Sequence, residues 1–197
     1  MERRITKIAL AGEGGQGVQS IAQIIAEAAY DEGQQAIYIP NFGVEQRGGV
    51  SIAFLQTSLG RIGAPKFDIG DVVVALSERA VPRTAKYCGP KTIFVYDSSL
   101  DIKPEDLPKT AGKILAIPAV DTANKELHPR VFNIIIMGVI IGLVEVVSFE
   151  DAKAALNHKL GAKFEKNPKL RELNYRALEI GRDMAVKYAR EGAKVND

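Results

Sequence analysis

The sequence predicts an α/β fold of three layers, with helices on both faces of a mostly parallel, mixed sheet and a helical C-terminal part. Three observations carry that prediction. Lys7 to Gly17, KIALAGEGGQG, runs a short apolar segment into Gly12-x-Gly14-x-x-Gly17 and then straight into a helix-period pattern, which reads as a strand, a Rossmann-like glycine turn and a helix start. Asp71 to Ser77 (DVVVALS) and Thr92 to Asp97 (TIFVYD) are continuous apolar runs, as expected of parallel strands covered on both faces. From Asn133 onward the pattern is helical. A chain of 197 residues accommodates this as one domain, 1–197, large enough to bury roughly 70% of its unfolded surface.

The elements follow in order. Val18, Ile21, Ala22, Ile25, Ala28 and Ala29 recur at helical spacing, and Gly33 supplies the stop. Ala36 to Ile39 (AIYI) predicts a second strand ended by Pro40, and Val50 to Gln56 (VSIAFLQ) a third. SLGRIG, Ser58 to Gly63, has the look of a tight return, so the third strand is expected to pair antiparallel with that segment. Ser77 to Tyr87 is helix-compatible, and Ile114 to Ala119 is a weaker sixth strand. Ser148-x-x-Asp151 is a candidate capping box, and an amphipathic helix is expected from about Pro168 to Arg190.

Composition removes several functions. A net charge of +2 with scattered Lys and Arg gives no nucleic-acid footprint. The single Cys88 excludes an intrachain disulfide, a thiolate-held iron-sulfur cluster and a cysteine zinc site in this chain alone, so a redox centre would have to come from a partner. The apolar run after MERRITK is shorter than a signal-peptide core of roughly 7–15 residues, and the chain is expected in the cytoplasm. Val131 to Val147 is strongly apolar but falls short of the about 20 residues of a bilayer span and contains Asn133 and Glu145; it reads as a buried helix, with no membrane as partner.

Two loops concentrate the chemistry. A glycine turn leading into a helix N-terminus offers backbone N–H groups and a positive dipole end to an anion. A nicotinamide or flavin dinucleotide site would also place an Asp or Glu at the end of the second strand, and Asn41 stands there instead. The second loop, Asn41 to Ser51 (NFGVEQRGGVS), combines an aromatic, an acid, an arginine and a Gly-Gly pair. Arg47 suits a phosphate or carboxylate through two hydrogen bonds, or a salt bridge to Glu45 or across an interface. His128 and His158 are isolated, Asp97 and Asp121 suit helix caps, and Cys88 has no base beside it. No metal site, Ser-centred elbow or Walker loop is visible.

GEGGQG after the first strand and FGVEQRGG about 25 residues later resemble the gamma subunit of the 2-oxoacid:ferredoxin (acceptor) oxidoreductases. Asn133-x-x-x-x-Gly138 and Asn174-x-x-Ala177-x-x-x-Gly181 extend the resemblance through most of the chain. It implies a subunit, inactive alone, of an enzyme that oxidatively decarboxylates a 2-oxoacid to an acyl-CoA and passes electrons to ferredoxin. Thiamine diphosphate, Mg and iron-sulfur clusters would sit in alpha, beta and delta partner subunits, in keeping with the single Cys88. Coenzyme A would be contacted here by Gly12, Gly14, Gly15, Gln16 and Gly17, with Arg47, Gly48 and Gly49 as a second lip and no catalytic residue on this chain. Phe42, where gamma subunits acting on indolepyruvate commonly carry a His, leans the substrate towards 2-oxoglutarate, then pyruvate. A stand-alone NAD- or FAD-binding oxidoreductase and a purely structural subunit are the alternatives.

Overall fold

A computed structural model of the chain describes residues 4–42 and 49–191. Six strands form one sheet: β1 (Thr6–Gly12), β2 (Gln35–Asn41), β3 (Ser51–Ser58), β4 (Val72–Ala75), β5 (Ile93–Asp97) and β6 (Lys113–Ile117), in the spatial order β2-β3-β1-β4-β5-β6. β1, β4, β5 and β6 run parallel, and β3 lies antiparallel between β1 and β2. The helices are α1 (Val18–Asp31), α2 (Ala80–Thr84), α3 (Ala119–Glu126), α4 (Phe132–Val144), α5 (Phe149–Lys166) and α6 (Pro168–Glu191).

Period-two alternation divides the core. Ile8 and Leu10 of β1, Val72 and Val74 of β4, and Leu55 of β3 face α1, α4, α5 and α6, while Ala9, Ala11, Val73, Ala75 and Phe54 face a thinner cover made by α2 and by Phe67, Tyr87, Ile102 and Leu107. Because both faces are buried, β4 has no polar position at all, which is why it reads as an uninterrupted VVVA.

Two expectations need correction. β3 does not fold back on Ser58 to Gly63; it pairs with β1 and β2, and no strand follows it before β4. Side-chain pattern reports burial but not strand direction, so it could not choose the partner. β2 also does not stop at Pro40 but continues to Asn41, pairing Pro40 with Ala53. Pro40 is tolerated because β2 is an edge strand whose outer side needs no ladder donor.

The helix ends obey local rules. α1 closes in a Schellman arrangement: Gln34 N–H donates to the Ala29 carbonyl and Gly33 N–H to that of Tyr30, each at 2.9 Å, with Gly33 at φ 78°. Ser148 caps α5, its hydroxyl accepting the Asp151 N–H at 3.0 Å. α4 is buried from Ile134 through Ile141, and its crossing with α6 brings backbone onto backbone at Gly138 and Gly181. Gly138 and Gly181 of the two patterns thus serve this crossing, Ala177 is fully buried, and Asn174, 4% exposed, donates from Nδ2 to the Leu170 carbonyl one turn back within α6.

Candidate functional site

The sheet order reverses direction between β1 and β4: the chain leaves β1 through α1 towards β2 and leaves β4 through α2 towards β5. In open α/β sheets the crevice at the carboxyl ends of two such strands is where ligands bind. The Gly12–Gly17 turn leaves β1 at this point, and Leu76 and Ser77 continue β4 beside it.

The turn is built for close approach. A Cβ on Gly12 would stand 2.6 Å from Gln16 Oε1 and 2.8 Å from Val18 Cγ2, so the strand end packs directly against the helix start. Gly17 is the N-cap of α1 at φ 77°, a left-handed conformation, and a Cβ there would meet Asn133 Nδ2 at 2.3 Å. Gly14 and Gly15 face open space on the exposed rim. Among the described residues the N–H groups of Gly14, Gly15 and Gly17 donate to no protein acceptor. The N-cap of α1 has no capping side chain and no acidic residue lies in the first turn of that helix, whereas α4 is entered through a 3-10 turn, Pro129–Val131, that the His128 side chain caps. Such an edge is suited to an anion.

Gln16 braces the turn through both ends of its amide. Its Oε1 accepts the Glu13 N–H at 2.7 Å and its Nε2 donates to the Leu76 carbonyl at 2.6 Å, tying the turn both to itself and to the end of β4. It fixes the shape of the turn.

The second loop returns to the same edge. Gly12 stands opposite Ser51 in the β1–β3 ladder and Asn41 opposite Ile52 in the β2–β3 ladder, so the loop joining Asn41 to Ser51 starts at the same sheet edge as the glycine turn, with β3 between them, and ends beside it. Half-buried Gly49 lies just before β3. Arg47 and Gly48, with Glu45, lie outside the described residues. Of the second motif only Phe42 and Gly49 are described, and Gly49 stands two residues before Ser51, the partner of Gly12.

Two polar groups at this edge escaped the sequence reading as site members. Ser77, 7% exposed, has a buried hydroxyl without a hydrogen-bond partner, and so does the Asn133 side-chain carbonyl oxygen. A buried polar atom without a partner costs about 1–3 kcal/mol, and native proteins retain few of them. The available signal was positional: Ser77 follows an apolar strand at its carboxyl end, and Asn133 opens an otherwise apolar helix.

The remaining polar singles are structural. Asp97, 1% exposed, accepts hydrogen bonds from the Ser99 N–H and hydroxyl and from the Val120 N–H at the start of α3. Asp121 pairs with Lys125 at 3.7 Å, His128 Nδ1 accepts the Arg130 N–H, and His158 pairs with Glu27. Cys88, 4% exposed, is pushed by burial up to about 12, so its thiol stays protonated and unreactive near neutrality. Among the described residues no cluster of His, Cys, Asp or Glu could hold a metal ion, and no helix is long and apolar enough to cross a membrane.

Fold and edge together define a class: a mixed-sheet α/β protein with a glycine turn and an uncapped helix start at its topological switch point. Within that class the chain belongs to the pyruvate ferredoxin/flavodoxin oxidoreductase family, whose model matches residues 7–184. It is 31% identical over 180 residues to the ketoisovalerate oxidoreductase subunit VorA of Methanothermobacter thermautotrophicus, covering 91% of this chain but only 36% of that relative. With the common gamma subunit of the pyruvate/ketoisovalerate oxidoreductases of Thermococcus kodakarensis it shares 32% identity over 168 residues, 82% of this chain and 90% of the relative. The structure superposes on the keto/oxoacid ferredoxin oxidoreductase gamma subunit of Geobacter sulfurreducens with a TM-score of 0.77 at 28% identity, covering 94% and 98% of the two chains. Against the 2-oxoglutarate:ferredoxin oxidoreductase of Magnetococcus marinus, solved with 2-oxoglutarate, coenzyme A and succinyl-CoA bound, the TM-score is 0.84 at 27% identity, over 94% of this chain and 32% of that one.

Proposed function

We propose that this chain is the gamma component of a multi-subunit 2-oxoacid:ferredoxin oxidoreductase and contributes to its coenzyme A site. The observation that carries the proposal is the family match over residues 7–184 together with relatives named as gamma subunits that the chain covers almost end to end. The whole reaction converts a 2-oxoacid and coenzyme A into acyl-CoA and carbon dioxide, releasing two electrons for ferredoxin. Decarboxylation and electron transfer belong to alpha, beta and delta partners holding thiamine diphosphate, Mg and iron-sulfur clusters, consistent with a chain that has one cysteine, buried and protonated. Coenzyme A supplies the thiol that takes up the acyl group. Gly14, Gly15 and Gly17 receive its phosphates on backbone N–H groups, Gly12 and Gln16 hold the turn, and Arg47, Gly48 and Gly49 close the second lip.

The relatives are named for pyruvate, 2-oxoglutarate, ketoisovalerate and indolepyruvate, so family membership leaves the 2-oxoacid open. Phe42 supports 2-oxoglutarate first and pyruvate second, and the cytoplasm is the compartment that fits such a complex. The ligand role is tested in the assembled enzyme by Arg47→Ala and Gly15→Val. Each is expected to raise the KM for coenzyme A at least tenfold while leaving the KM for the 2-oxoacid within twofold. An unchanged dependence on coenzyme A in both variants rejects the role.

A further inference from the structure

We propose that Asn133 is part of the same ligand cradle, its Nδ2 donating a hydrogen bond to a phosphate group received by the glycine turn, so that α4 as well as α1 furnishes the anion site. This rests on the reading of the turn as a phosphate-binding element. Asn133 is the second residue of α4, and its amide lies against Gly17, the N-cap of α1, so α4 brings a polar side chain to the start of the 14-residue α1. The positive end of the α1 macrodipole faces this crevice and is offset by neither a capping side chain nor a first-turn carboxylate.

The side chain itself points the same way. Its Oδ1 is enclosed without a partner, and among the described residues no hydrogen bond engages Nδ2. Filling space beside Gly17 would be done better by an apolar residue of similar volume, such as the isoleucines that follow it in α4, because no polar atom would then be stranded. An amide whose acceptor is turned inward and whose donor stands beside free turn N–H groups is matched to a ligand that accepts hydrogen bonds. Ser77, with its own unpartnered hydroxyl at the end of β4, adds a second uncommitted polar group at this edge. A phosphate offers several acceptor oxygens and no donor, and its charge meets the uncapped start of α1.

The test is calorimetric titration of the full chain with inorganic pyrophosphate and, separately, coenzyme A, for the wild type, Asn133→Asp, Asn133→Ala and Gly15→Val, each with a thermal melt. The aspartate keeps the shape of the amide while replacing the donor with a negative charge, so both ligands are expected to bind roughly 10- to 100-fold more weakly at nearly unchanged Tm. Asn133→Ala should weaken both about tenfold, and it carries the same test should the aspartate variant fail to fold. Wild-type affinity for pyrophosphate in the folded variants overturns the role of Asn133. If Gly15→Val loses binding while the Asn133 variants keep it, Asn133 alone is eliminated and the turn stands. If coenzyme A weakens but pyrophosphate does not, the phosphate contact is wrong. If the wild-type chain binds neither ligand, the reading of the turn falls and this inference with it.

Discussion

Replacing Gly138 with alanine adds one methyl group at the point where α4 and α6 touch backbone to backbone. The new Cβ would stand 2.2 Å from the Leu178 carbonyl oxygen and 3.0 Å from both the Arg182 nitrogen and the Gly181 Cα, and none of these atoms can swing aside. The helices would have to part by about 1 Å to restore van der Waals distance, loosening the packing of Ile135 and Ala177, both fully buried. Overpacking costs about 1–3 kcal/mol, here the upper value because both partners are main chain, and the better helix propensity of alanine returns about 1 kcal/mol. The expected net loss is about 2 kcal/mol, a fall of roughly 4–8 °C in Tm for a protein of this size. Gly161 provides the internal control: it lies inside α5 with nothing within 4 Å of its would-be Cβ, so Gly161→Ala should raise Tm by roughly 1–4 °C through propensity alone. Both variants are read by differential scanning calorimetry. Equal shifts of the same sign would refute the claim that Gly138 is required by the α4–α6 crossing.

Other perturbations test separate parts of the account. Gln16→Ala removes the bonds to the Leu76 carbonyl and the Glu13 N–H, and should lower stability by about 1–3 kcal/mol in urea while weakening pyrophosphate binding through a loosened turn. Ser148→Ala strips the cap of α5 and should cost about 1 kcal/mol, visible as a lower midpoint at unchanged slope. Cys88 ionises at an ordinary 9.0 when unfolded and at about 12 when folded, so the unfolded chain loses its proton first. Stability should therefore fall as pH rises above 9, by about 1.4 kcal/mol per pH unit, and the fall should be shallower in Cys88→Ala.

The parts of the fold set by local rules were legible in the sequence. α6 begins at Pro168 as the pattern indicates and ends at Glu191, one residue past the expected Arg190, because proline at a helix start and amphipathic spacing are local signals. Gly33 stops α1, and Ser148 caps α5, for equally local reasons. β4 and β5 were visible because burial on both faces leaves an unbroken apolar run. What failed was non-local: the direction and neighbours of β3 depend on which strands lie beside it, and Pro40 is permitted only by its place on the sheet edge. α3, a short segment with three lysine or acidic side chains in its eight residues, gave no distinct apolar stripe to find.

The candidate site divides in the same way. The glycine spacing was read together with the apolar strand before it and the helical pattern after it, and Gly12 and Gly17 answer to their own backbone and close neighbours. That Asn41 and Ser51 bracket a loop at the same edge required the ladder register. The task of Gln16 depends on the Leu76 carbonyl, 60 residues away, and the position of Asn133 on Gly17 depends on how α4 docks beside α1. No pattern within either segment encodes those distances.

The most direct test of the central claim is anaerobic purification of the tagged chain from its native cells at low salt, with mass spectrometry, thiamine and iron assays and 2-oxoacid oxidation measured on the eluate. Two or three larger subunits should co-elute with thiamine diphosphate and iron, together with ferredoxin-linked oxidation of a 2-oxoacid that requires coenzyme A. Recovery of the chain alone or as a self-oligomer, free of thiamine and iron and without that activity, would contradict it.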